Sequence, residues 1–241
     1  MRHAEQVMGT VVSFEIRPGD ESRHAATAAL ERACTILHAA DDTFSLYMPM
    51  SPMSRLRRGE TSLEQSPPEI AEVLGYCAEA RRLSDGWFDP WAMPGGLDPT
   101  GLVKGWATQR AAQVLEDSGM AAAMVNGAGD IACFGRPETG RAWTVGIQDP
   151  HHPKRVLRTV RVERAIATSG TSQRGEHIYD PFLGVPGSHA LSATVTGPSL
   201  AMADALATAL LARGATGVPC VRALPGYDAF VIKARPQLQH R

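Results

Sequence analysis

An aspartate and a threonine four residues apart, Asp204 and Thr208, stand in the run Ala203-Asp204-Ala205-Leu206-Ala207-Thr208-Ala209-Leu210. On a helix that spacing sends both side chains out of one face, so two oxygen ligands project from an otherwise apolar stripe. A hard cation such as Mg²⁺ takes one or two carboxylates together with phosphate oxygens, and a buried carboxylate needs a partner. The same pair is also explained without a metal. The threonine then bonds back to its own helix, and the aspartate is favoured in a first turn by the helix dipole.

Three further groups of residues could do chemistry. Leu97-Asp98-Pro99-Thr100-Gly101-Leu102-Val103-Lys104-Gly105 is a glycine-containing loop feeding a helix, where backbone N–H groups and the positive dipole end suit a phosphate and Lys104 adds a formal charge. Its spacing is not that of a Walker A loop, and taken alone it is more simply a capped helix start with an exposed lysine. Val125-Asn126-Gly127-Ala128-Gly129-Asp130-Ile131 is a small-residue turn that lets backbone approach a ligand closely, or else a tight hairpin-like connection. His177 follows Ala167-Thr168-Ser169-Gly170 and precedes Ile178-Tyr179-Asp180-Pro181. A histidine is the commonest general base, although a lone one is more often structural.

The elements that must position these residues follow from periodicity and punctuation. A β-strand is expected over 7–16 and a helix over 22–40. A helix over 66–84 opens with Ser66 and Glu69 as a capping box around Pro67. Another should run from about 102 to 118, ended by Gly119. Strands are expected over 122–125, 143–148, 156–162, 165–168, 191–196 and 229–233. A helix capped by Ser199 runs to 211 and is closed by Gly214. Helices and strands alternate without a regular strand–helix–strand rhythm, which points to an α+β fold rather than a doubly wound sheet. His151 and His152 read as an exposed turn, and Arg55, Arg57 and Arg58 as a solvated face.

The order of these segments resembles the ApbE-type FAD:protein FMN transferases. Met8-Gly9-Thr10, then Phe44-Ser45-Leu46-Tyr47 and Met53-Ser54-Arg55-Leu56, match the opening of that family. Asp85-Gly86-Trp87-Phe88-Asp89-Pro90 matches its DGxFDP segment, residues 98–105 resemble its DLGGIAKG loop, and residues 123–131 its ALVNxGGDI. Residues 143–150 resemble WxVGIxDP, 167–186 resemble ATSG…HIIDPxTGxP, and 203–210 match ADALATAL. Two departures are plain: only Trp91-Ala92-Met93-Pro94-Gly95-Gly96 stands where the family carries a longer stretch, and Pro99-Thr100 replaces the usual Leu-Gly.

The resemblance implies a T-fold-like α+β architecture of mixed sheets with packed helices in two joined lobes, as one domain over 1–241 with a frayed tail at 234–241. It implies Mg²⁺-dependent transfer of FMN from FAD to a threonine of an acceptor protein, releasing AMP. The alternatives are an FAD-binding module without transfer and a Mg²⁺-dependent FAD pyrophosphatase. By position, the resemblance places FAD against Met8, Tyr47, Trp87, Phe88, Asp89, Asp98, Lys104 and Ile178. It assigns the metal to Asp204, Thr208 and a main-chain oxygen of Gly101, and the role of base to His177.

Composition narrows the classes. The 241 residues carry 24 Lys and Arg against 25 Asp and Glu, a net charge of −1, so no global field points to nucleic acid or an anionic membrane. No stretch approaches the length of a transmembrane helix. The opening residues lack the apolar core of a signal peptide, and Cys34, Cys77, Cys133 and Cys220 are far apart without metal-ligand spacing. A cytoplasmic protein is the expectation.

Overall fold

In the computed structural model, residues 1–138, 140–170 and 179–233 are described. Within them, strands β1 (Arg2–Val7) and β2 (Thr10–Arg17) are followed by helices α1 (Arg23–Phe44), α2 (Pro52–Arg57), α3 (Pro68–Leu83) and α4 (Thr100–Asp117). Next come β3 (Ala122–Gly127), β4 (Asp130–Phe134), β5 (Trp143–Asp149), β6 (His152–Val162), β7 (Ala165–Gly170), β8 (Tyr179–Asp180), β9 (Val185–Pro186) and β10 (Ser192–Gly197). Helix α5 (Leu200–Arg213), a short 3₁₀ turn, α6 (Val218–Arg222) and β11 (Asp228–Ile232) complete the chain. Seven strands form one antiparallel sheet in the order β1-β2-β3-β4-β7-β10-β11.

The sheet is covered on both faces, and its central strands record this in their side chains. On β2, Val12, Phe14 and Ile16 alternate inward, the pattern of a strand with one buried face. On β4 all five residues are buried. Ala132 and Phe134 join the core under α1, α4 and α5, whereas Ile131 and Cys133 join a second core with Trp143, Ile147 and Val162 of the β5–β6 ribbon. Helix α5 is apolar nearly all round because it is buried nearly all round. Gln109 of α4 accepts from the backbone N–H of Leu200 and Ala201 and from Ser199 Oγ, which ties the start of α5 to its neighbour.

The α+β class holds, and the strands expected from sequence beyond residue 120 lie close to where they form. Four expectations fail. The stretch 7–16 is not one strand: Met8 (φ 52°) and Gly9 (φ 67°) form a two-residue turn with Val7 paired to Thr10, so a hairpin replaces it. Ser66 makes no capping box; its hydroxyl donates to Ser62 O at 2.8 Å, and Pro67 is the N-cap of α3 without a side-chain bond. The arginines of α2 are not merely solvated. Arg57 donates to Gly95 O at 2.7 Å and Pro94 O at 3.0 Å, and so pins the shortened 91–96 segment. His152 opens β6 rather than belonging to a turn, although both it and His151 are exposed.

Candidate active site

Where α4 and α5 pack together, their N-terminal halves face the edge of the sheet formed by the ends of β4 and β7. A cleft of about 660 Å³ opens there, in the range of small-molecule sites. Helix α4 begins at Thr100, two residues earlier than its sequence signals suggest, so Gly101 and Lys104 lie in its first turns rather than in a loop. Asp98 Oδ1 accepts from Thr100 N at 2.9 Å and from its hydroxyl at 2.5 Å, fixing the chain as it enters the helix. Pro99 gives α4 no side-chain cap bond, and Thr100 and Gly101 line the cleft, so the positive dipole end of α4 faces it.

Asp204 is 5% exposed and reaches across to α4. Its Oδ2 accepts from Gly105 N at 3.0 Å, an amide whose regular helical acceptor would be the Gly101 carbonyl. This contact requires Gly105. A β-carbon there would lie 2.8 Å from Asp204 Cβ and 2.8 Å from the Leu200 carbonyl oxygen. One turn further along α5, Thr208 Oγ1 lies 3.3 Å from Ser169 Oγ of β7. The position that a β-carbon would take on Gly101 is 3.9 Å from Thr208 Cγ2, so Gly101 borders the same spot. A carboxylate, a hydroxyl and a neighbouring main-chain carbonyl form an all-oxygen set, which fits a hard divalent cation.

Lys104 forms ion pairs with Asp130, also buried, and with Asp204 Oδ2 at 3.5 Å. Asp130 is held in turn by Thr168 N, which donates to its Oδ1 at 3.0 Å. Sequence reasoning did not single out Asp130 as a site residue. The signal was present: an aspartate opening an apolar strand buries a charge that must find a cation.

The other expected residues border the cleft from three directions. Met8 sits in the β1–β2 turn, where its N–H donates to Asp41 Oδ2 of α1 at 2.8 Å. Trp87, Phe88 and Asp89 follow α3; Phe88 N donates to the buried Ser84 Oγ at 3.0 Å, and Asp89 pairs with Arg81 at 2.7 Å. Tyr47 stands at the rim with 98% of its surface exposed. Thus Met8, Tyr47, Trp87, Phe88, Asp89, Asp98, Gly101, Lys104, Asp204 and Thr208 all line one cleft. His177 and Ile178 lie outside the described residues.

Buried thiols take no part. Cys77 and Cys133 are each pushed up to about 12, chiefly by burial, and neither lines the cleft.

The chain matches the model of the ApbE family over residues 8–96 and 92–231, two stretches that overlap at 92–96. An FAD:protein FMN transferase of Vibrio cholerae is 32% identical over 129 residues, covering 49% of this chain and 39% of that protein. One of Salmonella typhimurium is 24% identical over 239 residues, covering 94% and 65%. The chain therefore spans about two fifths to two thirds of the length of these relatives. Among solved structures, the flavin transferase ApbE of Vibrio cholerae is similar with a TM-score of 0.79 at 20% identity, over 96% of each chain. The ApbE protein of Thermotoga maritima is similar with a TM-score of 0.77 at 22% identity, over 97% of this chain and 94% of that one. At such identities the likeness establishes the fold.

Proposed function

The chain belongs to the ApbE family, and from that premise we propose that it transfers FMN from FAD to a threonine of an acceptor protein in a Mg²⁺-dependent reaction that releases AMP. The observation that carries this reading is the meeting of Asp204 and Thr208 of α5 with Gly101 and Lys104 in the first turns of α4, all lining one cleft. Asp204, Thr208 and the Gly101 carbonyl would hold Mg²⁺, which when bound neutralises pyrophosphate charge and stabilises the departing AMP.

The protein's own groups account for the rest. Lys104 and the first turn of α4 supply positive potential for the FAD pyrophosphate. Asp130, by pairing with Lys104, keeps the ammonium at the cleft floor. Trp87 and Tyr47 offer aromatic faces for the ring systems, Trp87 being buttressed by Phe182 at a centroid distance of 4.9 Å. The threonine oxygen attacks the FMN phosphorus, the bond to the AMP oxygen breaks, and the hydroxyl proton passes to a base. That base is His177 in this proposal, on the strength of the sequence resemblance alone. Positioning and electrostatics do most of such chemistry.

The proposal treats 1–241 as one transferase domain, because the sheet takes β1 and β11 from opposite ends of the chain. Four free cysteines suit a reducing cytoplasm, where the proposal places the reaction. No helix among the described residues is long and apolar enough to cross a membrane.

The test is product analysis. With FAD, Mg²⁺ and an acceptor carrying the threonine motif, AMP should appear in step with flavin fluorescence that stays on the denatured acceptor. His177→Ala should still bind FAD but yield neither product. AMP accompanied by free FMN would establish hydrolysis instead, and bound FAD without AMP from the unsubstituted protein would leave a binding module.

A further inference from the structure

A second group of metal-binding side chains lies between β1 and α1, and none of its members lines the cleft. His3 and Glu5 are two apart on β1, so both leave the same face of the strand. Cys34 and His38 are four apart on α1, so they share one stripe of the helix. Packing of α1 against β1 brings the two stripes together. His3 Nε2 lies 2.8 Å from Glu5 Oε2, and His38 Nε2 lies 2.8 Å from Glu5 Oε1. Ligand atoms of His3, Glu5 and Cys34 all fall within 4.8 Å of one another.

We infer that His3, Glu5, Cys34 and His38 form a site for a borderline divalent transition ion of the zinc type, separate from the all-oxygen cleft. Imidazole, thiolate and a single carboxylate are the donors such an ion prefers and a hard ion such as Mg²⁺ does not. Four ligands on bonds of about 2.0–2.3 Å sit about 3.4 Å apart in a tetrahedron. The ligand atoms of His3, Glu5 and Cys34 already lie within 4.8 Å of one another, and His38, 2.8 Å from Glu5, would turn in from α1 as the fourth. An ionised Glu5 can only accept, so it pairs with the Nε2–H tautomer of each imidazole; a bound ion would take the Nε2 lone pair, with the ring proton carried on Nδ1. Burial and then the Glu5 carboxylate push the Cys34 thiol up to about 11, and coordination replaces its proton by the metal.

The ion would fasten an edge strand. Among the described residues β1 pairs only with β2, and it leads directly into the Met8–Gly9 turn at the cleft. Ligands from β1 and α1 would join them through one ion.

Co²⁺ is the probe, added to tag-free protein in excess Mg²⁺ so that the oxygen cleft is occupied. One equivalent should give intense visible bands of tetrahedral cobalt and a near-ultraviolet thiolate-to-cobalt band, both removed by one equivalent of Zn²⁺. Cys34→Ser should lose the thiolate band, and Asp204→Asn should keep it. His38→Ala, at a half-exposed position, provides a second variant should Cys34→Ser fail to fold; it should weaken the ion at least about tenfold. No thiolate band in the unsubstituted protein overturns the site. So does a band that survives Cys34→Ser or disappears in Asp204→Asn, or an affinity that His38→Ala leaves unchanged.

Discussion

Asp204 touches both the Gly105 amide and Lys104 from inside α5, so asparagine at this position keeps the shape and an acceptor while removing the charge. Asp204→Asn should lower Mg²⁺-dependent turnover on the order of 10²–10³-fold, since a bound metal of this kind contributes several kcal/mol. A Mg²⁺ titration checks this; an unchanged midpoint and rate contradict the assignment. Tyr47 is the opposite case, an aromatic ring that nothing in the fold covers. Tyr47→Ala should leave the melting temperature alone and weaken FAD by about 1–3 kcal/mol, the worth of one stacked base. Calorimetric titration with FAD measures it, and unchanged affinity removes Tyr47 from the site. Asp204 and Thr208 were legible in the sequence because their spacing alone places them on one helical face. Asp130 offered only the general signal of an aspartate before apolar residues; that its partner is Lys104, on another element, is settled by the fold alone. The His3, Glu5, Cys34 and His38 group was hidden for the same reason: each half is a short-range pair, and their meeting is long-range.

Helices α4 and α5 are held close enough for Asp204 to reach α4 only because residue 105 lacks a side chain. Gly105→Ala places a β-carbon against backbone that cannot give way, and should cost about 1–3 kcal/mol while disrupting the metal ligands. Chemical denaturation and a Mg²⁺ titration together test it; a variant of full stability and normal Mg²⁺ response would contradict the packing. Helix α3 and strand β4 carry a pH signature. Burial pushes the Cys77 and Cys133 thiols up to about 12 in the folded chain, well above the ordinary thiol value they regain on unfolding. The unfolded chain therefore releases its protons first, and stability falls as pH rises through that window. Each thiol contributes a slope of up to about 1.4 kcal/mol per pH unit. Cys77→Ala should make the slope shallower by about one proton, and denaturation curves at several alkaline pH values that show no such change would contradict it. Helix α1 was readable from its apolar spacing, and the structure adds a cap at Ser22, whose hydroxyl accepts from Ala25 N at 3.1 Å. Strand β4 was not, since burial on both faces erases alternation in a run as short as Asp130–Phe134. Nor was the hairpin at Met8, because a methionine with positive φ is not a turn signal.

One seven-stranded antiparallel sheet unites the ends of the chain, with helices on one face and the β5–β6 ribbon on the other. The α+β class was visible in the alternation of elements, whereas strand order depends on pairings such as β4 with β7, far apart in sequence. The short 91–96 segment, pinned by Arg57, lies next to the cleft, where Met93 forms part of the wall. The central claim is that this cleft, with its short wall, still moves FMN onto a protein under control of a divalent cation. It is tested most directly by the intact mass of an acceptor protein after incubation with FAD, with and without Mg²⁺. An increase of one FMN moiety with Mg²⁺, absent after chelation, is the predicted result. An acceptor of unchanged mass beside fully bound FAD, or an increase indifferent to chelation, would contradict it.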